Sequence, residues 1–151
     1  MNRKRSGHLT LADSNFWLAL SIQQHPNREV SVRWFGLQSE TASVLMCRST
    51  QQSFLRLLTT ESVFRPLGVL PMTNAEAWTI YSAFLSDRRV GFEVEPPQTE
   101  AIWRSLTDRQ TASPKLWMDA YLAAFAMAGG YSFVTTDRGF RQYEGLDVAI
   151  L

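Results

Sequence analysis

Cysteine is almost missing from this 151-residue chain. Cys47 is the only one, which excludes a disulfide framework and any multi-cysteine zinc site, and suits a reducing compartment. Charge is sparse as well, at 19% of residues, and balanced: 15 basic against 14 acidic side chains, net +1. The large positive excess that gives histone-like proteins their affinity for phosphates is therefore absent. A nucleic-acid substrate is not excluded by this, because a local acidic cluster can hide a basic remainder. Lysine is rare even within that small set. Thirteen of the 15 cations are Arg, beside Lys4 and Lys115, a bias that suits anionic partners and that a genome rich in G and C would also produce. No long apolar run occurs. The longest uncharged one, Leu122 to Val134, is too short to cross a bilayer and contains Gly129-Gly130, so the chain is expected in the cytoplasm. Repeats, low-complexity tracts and linkers are lacking too. The expected organisation is a short basic arm over residues 1–8 (Arg3, Lys4, Arg5) and a single domain over residues 9–151, with 45% hydrophobic residues to build one core.

What is present reads as alternating strands and helices. Leu9–Asp13 has the character of a short buried strand ending in a carboxylate. Helical spacing follows over Ser14–Gln24, stopped by His25-Pro26, and again over Arg28–Gln38 behind a capping Asn27. Ser43–Cys47 is a strand-length apolar run, and Gln51–Leu58 a helix with Phe54, Leu55 and Leu58 on its core stripe. Thr73 and Glu76 have capping-box spacing and open a helix to about Ser86. Val90–Val94 alternates like a half-buried strand before Pro96-Pro97, and Glu100–Asp108 is a short helix. Ser113-Pro114 starts the last long helix, with the serine as cap, running to Gly129-Gly130. Tyr131–Thr135 and Val148–Leu151 complete the strands. Strands separated by one or two helices imply a mainly parallel sheet covered on both faces, an α/β class.

In such sheets ligands collect at the carboxyl ends of the strands. Two of those ends carry an aspartate, Asp13 and Asp137. Each also precedes a helix or turn start, so capping accounts for either one alone. Asp119 is different. It is the only charged side chain from Leu116 to Gly130, in the second turn of a helix apolar enough to be largely buried. An unpaired buried carboxylate is costly, so Asp119 requires a cation such as Lys115, a proton, or a metal. Its end of the helix should lie near the edge where Asp13 and Asp137 emerge. Three converging carboxylates repel one another unless a divalent cation neutralises them. Oxygen ligands without His or Cys select Mg²⁺ or Mn²⁺ over zinc, the arrangement of metal-assisted phosphodiester hydrolysis. Other polar residues carry less. His25 is read as closing a helix, His8 as surface, Glu93 and Glu95 as a solvated strand face, and Cys47 as core. The five tryptophans are read mostly as packing, with Trp17 or Trp34 the ones suited to a partner surface.

Four blocks in order carry a resemblance: Leu11–Asn15, Cys47–Leu58, Trp117–Ala124 and Phe133–Phe140. Together they resemble the PIN domain, and more narrowly the VapC-type toxins of bacterial toxin–antitoxin pairs, over roughly residues 9–151. The resemblance implies a three-layer α/β/α sandwich on a small, mainly parallel sheet, and Mg²⁺- or Mn²⁺-dependent endoribonuclease action on structured RNA of the tRNA or rRNA class. It assigns Asp13, Asp119 and Asp137 to the metal, and gives Thr135 the role of orienting a metal-bound water or a carboxylate. Arg56, Arg138 and Arg48 would guide the RNA backbone. The family usually has a glutamate where this chain has Gln51, which can offer a carbonyl oxygen but neither charge nor a base. A cognate antitoxin that inserts into the acidic site and a homodimer are also implied. Two alternatives stay open: a PIN-like binding module made inert by Gln51, and a PIN nuclease in RNA maturation.

Overall fold

The computed structural model describes residues 8–151; all of the expected basic arm except His8 lies outside the described residues. Five short strands form one sheet: β1 (Thr10–Ala12), β2 (Val44–Met46), β3 (Val90–Phe92), β4 (Ser132–Thr135) and β5 (Val148–Ile150). Their order is β3-β2-β1-β4-β5, and every neighbouring pair is parallel. Parallel neighbours need crossover connections, and from β1 to β4 helices supply them: α1 (Ser14–Ser21), α2 (Arg28–Gly36), α3 (Arg48–Leu58), α4 (Glu61–Phe64), α5 (Asn74–Ser86), α6 (Thr99–Thr107) and α7 (Leu116–Gly129); β4 leads to β5 through a 3₁₀ turn over Arg138–Gln142.

The period-two alternation of the strands divides the core between the two faces. Ala12, Val44, Met46 and Val134 point to one side, where Phe16, Trp17, Phe54 and Tyr81 from α1, α3 and α5 meet them. Leu11, Leu45 and Phe133 point to the other and pack on Leu116, Ala120, Ala123 and Phe125 of α7 with Phe140 and Tyr143. Trp17 is fully buried, and its indole N–H donates to the Ala12 carbonyl at 3.2 Å, tying α1 to β1. The result is the expected three-layer sandwich. Among the described residues no helix is long and apolar enough to cross a membrane.

Several sequence expectations are corrected. The last long helix begins at Leu116 rather than Ser113. Pro114 and Lys115 form a turn in which the Leu116 N–H donates to the Ser113 backbone carbonyl at 3.1 Å, so Ser113 is not a side-chain cap and Asp119 falls in the first turn. That helix is also less buried than its composition suggests. Its second half packs on the sheet, whereas Trp117 (52% exposed) and Met118 (66%) face outward where the first turn reaches the sheet's edge. Trp78 is 53% exposed as well, so two of the five tryptophans present a face to solvent while touching Tyr81 and Trp103 edge-on. The β3 ladder ends at Phe92, two residues early, and a short helix (α4) with a 3₁₀ turn over Arg65–Leu67 fills a stretch that periodicity leaves unassigned. The Gly129-Gly130 stop is observed: Gly130 takes φ +67°, the left-handed cap that a side chain would disfavour.

Candidate active site

Strand order fixes where a site can form. β1 lies at the centre with β2 on one side and β4 on the other, so the direction in which strands are added across the sheet reverses there and leaves a crevice beyond the strands' carboxyl ends. The register Ala12↔Val134 brings the next residues, Asp13 and Thr135, side by side. Asp13 is 6% exposed, and both of its oxygens are occupied. Oδ1 accepts from the Ser14 backbone N–H at 2.8 Å and so caps α1; Oδ2 accepts from the Thr135 hydroxyl at 2.8 Å. The capping role open to Asp13 is thus carried by Oδ1 alone, and Oδ2 faces Thr135.

Thr135, fully buried, is the hub of this corner. Its Oγ1 also accepts from the Asp137 backbone N–H at 3.0 Å and from the Asn15 side-chain amide at 3.3 Å. Asn15 in turn accepts from the Thr136 N–H at 3.3 Å, and Ser53 on α3 donates to the Ser14 hydroxyl at 3.1 Å. Thr135→Val keeps the shape and removes the donor to a buried carboxylate oxygen. The expected cost is about 1–3 kcal/mol in urea unfolding at pH 7, with Thr135→Ser close to wild type.

The other two acids approach from different elements. Asp137 lies at the exposed head of the 3₁₀ turn Arg138–Gln142, where its Oδ1 caps the Gly139 N–H at 2.8 Å. Asp119 is half-buried on α7. Burial, followed by the charges of Asp119 and Asp137, pushes the Asp13 carboxyl up to about 6, against the pull of its bonds to Thr135 and Ser14. Burial and then the Asp137 charge also raise Asp119. Asp13 thus lies within electrostatic reach of both other acids, and Asp119 within reach of Asp137. Among the described residues no Arg, Lys or His forms an ion pair with any of them, and Lys115 does not fill the partner role open to it beside Asp119. Nor, among the described residues, do three Asp, Glu, His or Cys side chains lie close enough to hold a metal ion as they stand.

Gln51 is buried in the first turns of α3, and its side-chain oxygen accepts from the Arg48 guanidinium. That guanidinium also lies 5.0 Å from the centre of the Phe92 ring. Arg138 is exposed beside Asp137, whereas Arg56 is about 12 Å further along the α3 axis than Arg48, away from the acids. Cys47 is buried at the end of β2, where burial raises its thiol pKa. His25 closes the turn between α1 and α2 by accepting from the Asn27 N–H on Nδ1 at 3.1 Å.

Sequence reasoning misses Asn15, Tyr143 and Arg109. Asn15 lies inside the first resembling block, two residues after Asp13, and that proximity is the available signal. The Tyr143 hydroxyl is buried with no hydrogen-bond partner among the described residues. Its phenol is raised to about 12 by burial first and then by the Asp119 charge, with Arg109 opposing.

With this geometry in view, the comparisons are specific. The PIN domain family model matches residues 10–146. Ribonuclease VapC41 of Mycobacterium tuberculosis is 46% identical over 144 residues, covering 95% of this chain and 99% of the relative. Among solved structures, M. tuberculosis VapC20, described as a sarcin-ricin loop cleaving toxin, superposes with a TM-score of 0.60 at 20% identity, covering 92% of this chain and 98% of that one. The DNA-bound VapBC complex of Salmonella typhimurium gives 0.64 at 12% identity, covering 95% and 98%. The two structures support the fold, and the family model and VapC41 support the kinship. This chain belongs to the PIN-domain family, among the VapC ribonucleases.

Proposed function

We propose that the protein is a divalent-metal-dependent endoribonuclease, acting on structured RNA as the toxin of a toxin–antitoxin pair. The observation that supports this reading is that Asp13, at the sheet's topological switch, lies within electrostatic reach of Asp119 and Asp137, with no cationic side chain paired to any of the three among the described residues; a bound ion would have to draw them closer than they stand. The kinship with Ribonuclease VapC41 supports the same reaction.

The donor set fits Mg²⁺ or Mn²⁺: it is oxygen only, and the Asp13 carboxyl is raised by burial and by the charges of Asp119 and Asp137, a repulsion that a divalent cation would offset. Asp13, Asp119 and Asp137 would hold the ion. When bound, it supplies Lewis acidity toward the phosphate and acidifies water for in-line attack. The protein's own part is positioning. Thr135 fixes the rotamer of Asp13 and the backbone before Asp137 through one hydroxyl, and Asn15 buttresses Thr135. Arg138, exposed next to Asp137, is placed to meet an RNA phosphate. Arg48 is engaged by Gln51 and Phe92, so its role toward RNA is to leave that contact or to act through it. Arg56, one helix length away, would meet only a more distant part of the strand.

The Gln51–Arg48 contact favours one alternative, an inert binding module, because the oxygen nearest in role to the family glutamate is already taken. Purified protein incubated with RNA in Mg²⁺, Mn²⁺ or EDTA separates the readings: cleavage only with metal supports the nuclease, and none in any condition supports the inert module. In the same assay Gln51→Glu adds a fourth carboxylate. It is expected to tighten Mn²⁺ binding and raise cleavage at limiting metal, since affinity for hard cations rises with ligand charge. The proposed partners are a small antitoxin protein, in line with the VapBC complex of S. typhimurium, and a second copy of this chain.

A further inference from the structure

Asp119 also borders a cavity of about 400 Å³. Its wall includes Arg109, Lys115, Asp119 and Tyr143. A larger hollow of about 720 Å³ between α6 and α7 shares Arg109, Ser113, Pro114 and Leu116 with it and extends to Trp103 and Trp117.

Three features of this wall ask for the same kind of occupant. Arg109 and Lys115 are exposed, and among the described residues neither has a carboxylate in ion-pair range. Tyr143 is 5% exposed, yet its hydroxyl has no partner among the described residues, and an unsatisfied buried donor is costly enough to require an explanation. Arg109, Lys115 and Asp119 line the same cavity as Tyr143. Two free cations and an unused neutral donor suit an anionic oxygen acceptor. In the adjoining hollow Trp117 is half exposed. It is held edge-on to Trp103 at 6.0 Å, and Trp103 donates to the Trp117 backbone carbonyl at 2.9 Å, giving a fixed aromatic surface of the kind on which unpaired bases stack.

We propose that these joined cavities form a nucleotide subsite for single-stranded RNA: a phosphate next to the cleaved linkage binds the Tyr143 hydroxyl, Arg109 and Lys115, and its base lies against Trp117. The proposal rests on the ribonuclease reading and names how that site takes its substrate. Tyr143 thereby becomes a substrate-contacting donor rather than a core residue with a wasted hydroxyl.

The test is fluorescence-anisotropy binding of a short, labelled, mixed-sequence single-stranded RNA to the full chain in EDTA, repeated over a salt series. Arg109→Gln is expected to weaken binding and reduce the salt slope by about 0.7, the contribution of one phosphate contact on a single strand. Tyr143→Phe should weaken binding about tenfold or more without changing the slope, because a hydrogen bond to an ionised acceptor is lost while the protein's charge is unchanged. Its thermal midpoint should equal or exceed that of wild type, since the ring shape is kept and an orphaned hydroxyl removed. Trp117→Ala, a surface change, should weaken binding at least about fivefold through lost stacking. Arg33→Gln on α2 serves as the control and should bind as wild type. Wild-type affinity and slope in all three variants overturn the subsite. So does a loss of affinity confined to a protein partner with RNA binding unchanged. Cleavage with Mg²⁺ is measured alongside. Wild-type cleavage with unchanged variant binding removes the subsite and leaves the ribonuclease; weakened variant binding without wild-type cleavage does the reverse.

Discussion

Asp119→Asn is expected to abolish RNA cleavage while leaving the fold intact. The carboxylate is half-buried in the first turn of α7 and makes no ion pair among the described residues, so exchanging it for the isosteric amide breaks no partner. It also removes one of the two charges that raise Asp13. The metal-free variant should therefore be as stable as wild type or slightly more stable. Activity should move the other way. Supporting partners of a metal site typically cost roughly 10–100-fold when mutated, and loss of a ligand itself should exceed the upper end of that range. Asp13→Asn should be equally inactive. The introduced side chain would keep one acceptor for the Ser14 N–H but would present its amide nitrogen to the Thr135 hydroxyl, disturbing the corner that positions Asp137. Stopped-time cleavage assays with matched thermal melts check both variants, and an Asp119→Asn protein that cleaves within about tenfold of wild type contradicts the assignment.

The second large effect is on stability against pH in the absence of metal. The Asp13 carboxyl has a folded-state pKa of about 6 against an ordinary 3.8. Between those values the folded protein holds a proton that the unfolded chain has released, so stability falls as pH rises through that window. The Asp13 contribution is level below and above the window. A shift of about two units corresponds to roughly 3 kcal/mol over the whole window, of which about 2 kcal/mol is lost between pH 4 and pH 7. Asp119, raised in the same direction, adds to the trend. Urea unfolding in EDTA at pH 4 and pH 7 should show the decline, and Asp13→Asn should lack its Asp13 part. Mn²⁺ at pH 7 should restore stability by mass action, because it binds the ionised folded form. A wild type whose metal-free stability climbs from pH 4 to pH 7 as much as that of Asp13→Asn would show that the carboxylate is not strained.

Much of this site is legible in the sequence because it follows from topology. A parallel sheet gathers residues at the carboxyl ends of its strands, and Asp13 and Asp137 stand just past two apolar runs that could only be strands. Asp119 stands out for the opposite reason, as the one charge in an apolar helix, although that helix exposes its first turn and leaves Asp119 only half-buried. Thr135 is named by the resemblance; its function as a hydrogen-bond hub depends on the β1–β4 register, which spacing does not encode. Asn15, Arg109 and Tyr143 act through neighbours far away in the chain, which only the fold brings together. The Gln51–Arg48 contact is local, three residues apart on one helix turn, and lies within reach of helical spacing. The start of α7 is misplaced by the sequence because Ser113-Pro114 has the composition of a cap, while the chain makes one more turn before the helix begins.

The most direct test of the central claim is to sequence RNA 5′ ends after incubating total RNA with the purified protein in Mn²⁺, in EDTA, and with Asp119→Asn in Mn²⁺. Discrete new ends produced by the wild type in Mn²⁺ alone are the expected result. The same ends appearing in EDTA, or with Asp119→Asn, would contradict it.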